Sequence, residues 1–552
     1  MMSRASRLVS IAIAALVAAS PLHASRKTVC TITVNSADEK EFLQRTLPKD
    51  EFDFVELVER GRPDWLASAC RKGVKCDVLL ISGHFDGGTQ FYSDRLHVDE
   101  YLPVDEMERV ACSASCPGLF SQLKEVYLMG CNTLNAQPMR TAGGELERSL
   151  RRAGYSKSDA TQFAQTLGAR HAESNRDRMR NIFKDVPVIY GFSAKAPLGP
   201  YAAATLQKYF QSGPAGEFGS GRPSGRLLSF FAPVSMTVVN GARDDDVHAG
   251  FRRDACQFVD DRLSAAQKLA FVHSLLRRDA AESRMFLDAI ERHTASLSAT
   301  ERRAPAVDAV LREIVLDHAS RDRFMDLARD ADEPATRTRM LAIARSLGWL
   351  TDEQHQGELR GMLDEHLAGK PIGSSEVDLF CSMNREHSLV ADPARIGRAA
   401  LHPQNVGQSA VLACLGEREA HARVLEALTS SEGEALEIAQ VYLRHRPITD
   451  VDEMRVLTRG IARMPGSEAQ VRALDTLARQ KVSDAASLDE LLRLYALAKS
   501  VNVQRAIAGI LIRADYKALP QRELVASLSK HRLKSTEGAD LIDVLIRRAQ
   551  AH

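Results

Sequence analysis

Val78-Leu79-Leu80-Ile81-Ser82-Gly83-His84-Phe85-Asp86-Gly87-Gly88 and Val126-Tyr127-Leu128-Met129-Gly130-Cys131-Asn132-Thr133 are two runs of one design. Each begins as a near-continuous apolar strand, the pattern of a parallel sheet covered on both faces. Each then passes through a glycine to a reactive polar residue, His84 in the first and Cys131 in the second. In open parallel sheets, ligands bind in the crevice beyond the carboxyl ends of the strands. Neighbouring strands lie about 4.8 Å apart, so adjacency would set a histidine and a cysteine over one ligand position.

Around these runs the pattern alternates. Thr28–Val34, Phe52–Val58, Asp77–Ser82, Glu125–Met129 and Val186–Tyr190 read as strands. Glu39–Thr46, Pro63–Arg71, Gly143–Ala153, Lys157–His171, Ser174–Phe183 and Tyr201–Phe210 read as helices. Alternation of this kind predicts a mostly parallel sheet with helices on both faces. Ser212–Arg226 (SGPAGEFGSGRPSGR) reads as a flexible loop open to proteolytic nicking, as does Asn132–Ala142 with Arg140. The apolar residues of Leu227–Phe231 and Ser235–Val239 are expected to form one last strand, before a boundary at Asp244-Asp245-Asp246. The α/β domain is therefore set at 26–245.

The histidine and the cysteine supply complementary chemistry. A thiolate is the nucleophile, and a free thiol is mostly protonated at neutral pH. A nearby imidazole takes that proton and later returns one to a departing amine. Gly83 and Gly130 remove side chains where a peptide backbone must approach. The N–H of Cys131 and one near Phe85 are the expected oxyanion donors. Other constellations are missing: the chain has no Walker A loop, no H-E-x-x-H and no G-x-S-x-G, since Gly191-Phe192-Ser193 lacks the closing glycine.

At these residues the chain resembles the caspase-like cysteine peptidases, the superfamily of caspases, legumains, gingipains and bacterial CHAT domains. That family ends its third strand in His-Gly and its fourth in Ala-Cys or Gly-Cys, and Gly130-Cys131-Asn132-Thr133 looks especially like the CHAT form. The resemblance covers residues 27–240 and rests on two short motifs. It implies that Cys131 is the nucleophile and His84 the general acid and base, acting on a protein or peptide. The chain departs at Phe85, where the family usually has glycine, so bulk is expected beside the His84 pocket. No motif places the specificity pocket; Asp86 and Asp94 read first as loop solvation and only second as groups favouring a basic substrate residue. The alternative is a catalytically inactive caspase-like domain in an exported scaffold.

The remaining features set the context. Arg4 and Arg7, the apolar run Leu8–Ala19 and the small residue Ala24 make residues 1–25 a signal peptide. The run is too short for a membrane anchor, which places the mature protein outside the cytoplasm, periplasmic or secreted. Nine cysteines in that compartment are expected to pair, leaving at least one free. Cys112–Cys116 is the expected local bridge, Cys70–Cys76 a further possibility, and Cys131 the expected free thiol. Zinc is the competing reading of such pairs, but no ligand set with familiar spacing completes it, and no cofactor is expected. With 73 Lys and Arg against 72 Asp and Glu, the net charge of +1 gives no field favouring nucleic acid.

From residue 246 to 552 the strands disappear and helical periodicity runs to the end. A small-x3-large pair recurs at Ala439/Leu443, Ala473/Leu477 and Ala506/Ile510, with Leu541/Leu545 following. Periods near this length suggest stacked helical hairpins over about the last 220 residues, a solenoid-like all-α region that loosely resembles HEAT repeats and would bind a protein partner; an irregular helical bundle is the alternative. His355 and His366 lack metal-ligand spacing and are expected to be solvated.

Overall fold

The computed structural model describes residues 26–57, 65–85, 90–93, 100–113, 116–137, 147, 151, 156–162, 174–246, 249–278, 280–331, 333–384, 405–430, 433–465, 468–514, 520–533 and 541–550. The leader at 1–25, Asp86, Asp94, Arg140 and most of the helices read over 143–153 and 157–171 lie outside them. The chain divides into two compact units, one ending at Val307 and one beginning at Asp308.

The first unit is built on a mostly parallel sheet. Its strands are β1 (Lys27–Thr33), β2 (Phe52–Glu56), β3 (Val78–Ser82), β7 (Glu125–Met129), β8 (Val188–Phe192) and β9 (Met236–Val239), in the order β2-β1-β3-β7-β8-β9. All pairings are parallel except that of β8 with β9. Between β3 and β7 the chain makes a small antiparallel sheet of β4 (His84–Phe85), β5 (Gln90–Tyr92) and β6 (Tyr101–Pro103).

Every residue of β3 and β7 is buried, which explains why their sequence is apolar apart from Ser82 and Glu125 at the strand ends. Successive side chains alternate between two layers. Leu79, Ile81, Val126 and Leu128 join one cluster with α2 (Trp65–Arg71), α3 (Val104–Cys112) and α4 (Asn175–Ile182). Val78, Leu80, Tyr127 and Met129 join the other, with α1 (Asp38–Thr46), α5 (Gly199–Gln211) and α6 (Gly225–Phe231). Full burial of one such side chain contributes about 2 kcal/mol, so a charge placed in either strand centre would be severely disruptive.

Two expectations about the end of this sheet need correction. Only Met236–Val239 forms a strand; Leu227–Phe231 belongs to α6. The Ser224 hydroxyl caps that helix by accepting the Leu227 N–H at 3.1 Å. The segment 212–226 is anchored at Gly219, Gly221 and Ser224, although much of it is exposed. Glu125, 1% exposed, accepts the N–H groups of Gly219 (2.8 Å) and Gly221 (2.9 Å), and Ser224 N–H donates to the Tyr190 hydroxyl at 2.7 Å.

The cysteines pair otherwise than in the local scheme. The bridges are Cys30–Cys76, Cys70–Cys116, Cys112–Cys256 and Cys381–Cys414. Cys112 ends α3, and Cys116 bridges Cys70 in α2. Cys112 instead holds α7 (Ala249–Val259), which α3 and α4 also bind through Arg252, a donor to the carbonyls of Ala111 (3.1 Å) and Asn181 (2.8 Å). The helices over 249–302 therefore belong to the first unit.

The second unit is all helical among the described residues. From Glu434 onward each helix packs on its neighbour but one: Glu434–His445 on Glu468–Leu477, that on Val501–Arg513, and that on Leu541–Gln550. The recurrent small-x3-large pairs lie in this row, with Ala439, Leu443, Ala473, Leu477, Ile510 and Leu545 buried and Leu541 49% exposed. His355 and His366 are buried, at 7% and 6% exposure, not solvated. Among the described residues no helix is long and apolar enough to cross a membrane.

Candidate active site at the carboxyl edge of the sheet

The last register pair of β3 and β7 is Ser82 with Met129. Gly83 N–H extends the ladder by donating to the Met129 carbonyl at 3.4 Å. His84 and Cys131 each lie two residues beyond that last pair, on neighbouring strands and at the same edge. There the two chains separate: His84 enters the small sheet opposite Tyr92, and Cys131 enters a turn toward β8.

The two glycines let the strand ends pack closely beneath His84 and Cys131. A Cβ on Gly130 would lie 2.9 Å from the Gly83 carbonyl oxygen, 3.0 Å from Phe85 Cβ and 3.1 Å from the Phe91 ring. No side chain fits there. The Gly83 N–H is committed to the ladder, so Gly83 supports the site sterically. Phe85 does not crowd the His84 pocket as its bulk suggested. Its side chain is 4% exposed and sits in the α2–α3–α4 layer, its ring 4.7 Å from that of Phe91. Alternation turns His84, half-buried and with its ring 5.5 Å from Tyr92, toward the opposite layer.

Cys131 faces that same layer. Its sulfur accepts the N–H of Ala196, 3.3 Å away, and Ala196 packs against the α1–α5–α6 cluster. Cys131 is half-buried, and it is the one free thiol of the nine cysteines. The next two residues of the Gly-Cys-Asn-Thr run hold the turn. Asn132 adopts a left-handed backbone with φ of 59°, which asparagine tolerates better than most side chains. Its N–H donates to the Ala194 carbonyl at 2.7 Å, and its own carbonyl accepts from Asn175 Nδ2 at 3.0 Å. Thr133, wholly buried, accepts the Phe192 N–H at 3.1 Å and turns its hydroxyl toward the Gly130 carbonyl at 3.1 Å.

One group beneath the edge escaped the sequence reading. Glu39, in the first turn of α1, is 2% exposed and accepts from the Ser82 hydroxyl at 3.2 Å. Burial pushes its carboxyl up from 4.5 to about 7, and the neighbouring Asp38 adds to the rise. In sequence it looks like an ordinary acidic residue at a helix start; only the packed fold shows it buried. Ala196 is equally silent, because its contribution is a backbone N–H. At the rim, Leu198 and Tyr201 are 59% and 70% exposed at the start of α5.

Among the described residues, no group of three or more His, Cys, Asp or Glu side chains gathers as a metal site requires. No family model, curated protein or solved structure matches the chain.

Proposed function

We propose that this protein is an exported cysteine peptidase of the caspase-like type, with Cys131 as nucleophile and His84 as general acid and base. The observation that carries the reading is the convergence of a Gly-His and a Gly-Cys strand end on adjacent parallel strands. That the cysteine at this edge is the one left unpaired supports it. Cys131 gives its proton to the His84 imidazole, and the sulfur attacks the scissile carbonyl. The N–H groups of Cys131 and of a residue near Phe85 receive the oxyanion. His84 then protonates the leaving amine as the C–N bond breaks, which leaves a thioester. Water, deprotonated by His84, releases the acid and restores the thiol.

Leu198 and Tyr201 offer an apolar surface for a substrate side chain beside this edge. The helical second unit, read as HEAT-like repeats, selects a protein partner or substrate. The four disulfides fit export. Hydrolysis of fluorescently labelled, unfolded casein by the mature protein tests the activity. Wild type is expected to cut, with Cys131→Ala and His84→Ala slower by at least about 100-fold. Equal rates in wild type and Cys131→Ala would overturn the reading.

A further inference from the structure

Cys131 belongs to one loop, but a second loop holds it. The segment after β8 is itself fixed, since Ser193 donates to the Ser235 carbonyl through its N–H at 3.1 Å and its hydroxyl at 3.3 Å. The Ala194 carbonyl then receives the Asn132 N–H at 2.7 Å, and the Ala196 N–H reaches Cys131 Sγ at 3.3 Å. The nucleophile turn and this segment therefore clasp each other twice. Downstream, Pro197 stiffens the chain and α5 begins at Gly199. Ala196 is held from both ends, and its N–H direction is set by the scaffold.

A thiol sulfur is a weak hydrogen-bond acceptor, and an ionised acceptor bonds about twice as strongly as a neutral one. A fixed N–H aimed at the sulfur therefore favours the thiolate, because bonding to the charged form stabilises that form. We infer that the backbone N–H of Ala196 fixes the Cys131 sulfur at the sheet edge and stabilises it whenever it carries charge, a positioning role that rests on the peptidase reading. When the S–H bond breaks, its proton passes to His84, and Ala196 keeps its own proton and donates to the sulfur left behind. In the thioester the sulfur is neutral and the bond weakens. When the C–S bond breaks in hydrolysis, the same N–H stabilises the departing thiolate.

The test is the pH dependence of iodoacetamide alkylation of Cys131 in the intact, disulfide-bonded protein. Ala196→Pro removes the N–H, and Ala196→Gly keeps it. The half-maximal pH is expected to rise by about one unit in Ala196→Pro, making alkylation at pH 6 about tenfold slower. Ala196→Gly should follow wild type. An unmoved profile in folded Ala196→Pro overturns the inference. Should a second proline beside Pro197 unfold the segment, hydrogen exchange at Ala196 decides instead. Exchange should be faster in Cys131→Ala than in wild type, and equal exchange overturns the inference. Neither readout needs turnover. A shifted profile without casein hydrolysis sinks the peptidase reading alone, and hydrolysis with an unshifted profile sinks the Ala196 role alone.

Discussion

Glu39 shows how a single buried group sets a pH dependence. Its carboxyl titrates near 7 in the folded chain against 4.5 ordinarily, so the native state keeps a proton that the unfolded chain releases first. The resulting stabilisation is complete below pH 4.5 and is lost as the pH rises through about 7. Glu39→Gln cannot ionise. It should match wild type near pH 4 and exceed it by about 3 kcal/mol at pH 8, as read by urea unfolding at the two values. Equal offsets at both would contradict the assignment. His84 and Cys131 were legible because strand-end grammar is local: an apolar run, a glycine, then a reactive residue. Glu39 and Ala196 were not, since burial of a helix-start acid and the aim of a backbone N–H are products of packing. His355 and His366 were misread for the same reason: which helix faces are covered depends on neighbouring helices.

At the scale of elements, the five parallel strands were read to within two residues, most sharply where full burial leaves a continuous apolar signature, whereas the short strands β4, β5 and β6 were not read at all. The Leu227–Phe231 run failed because five apolar residues fit a strand or a short buried helix equally well, and the Ser224 cap decides for helix. Glycine content made 212–226 look flexible, yet Glu125 and Tyr190, distant in sequence, hold it. In the second unit a buried amide recurs near the start of two alternate helices, Glu468–Leu477 and Val501–Arg513. Gln470 Nε2 donates to the carbonyls of Ile461 and Met464, and Gln504 Nε2 to those of Tyr495 and His531. Gln504 also accepts the Leu533 N–H at 2.9 Å and is wholly buried. Gln504→Leu strands these groups and should cost about 2–4 kcal/mol, measured as a lower denaturation midpoint. An unchanged midpoint would mean that the repeat is held by its apolar pairs alone.

Across the whole molecule, three of the four disulfides lie in the first unit and one in the second. Cys112–Cys256, which closes 144 residues of chain, ties α7 to the sheet layer. The Cys112→Ser/Cys256→Ser pair should lower the stability of the first unit by about 2–5 kcal/mol and leave the second unit's transition in place by calorimetry. A matching drop in both transitions would contradict the division at Val307. The central claim, however, concerns the edge where the two quoted runs meet. Its most direct measurement is covalent trapping of Cys131 by a mixed-sequence peptidyl acyloxymethyl ketone, with peptide mapping of the native protein. The account predicts one adduct, on Cys131, formed at least about 100-fold more slowly in His84→Ala. No adduct on native protein whose Cys131 still alkylates readily, or an adduct forming equally fast without His84, would contradict it.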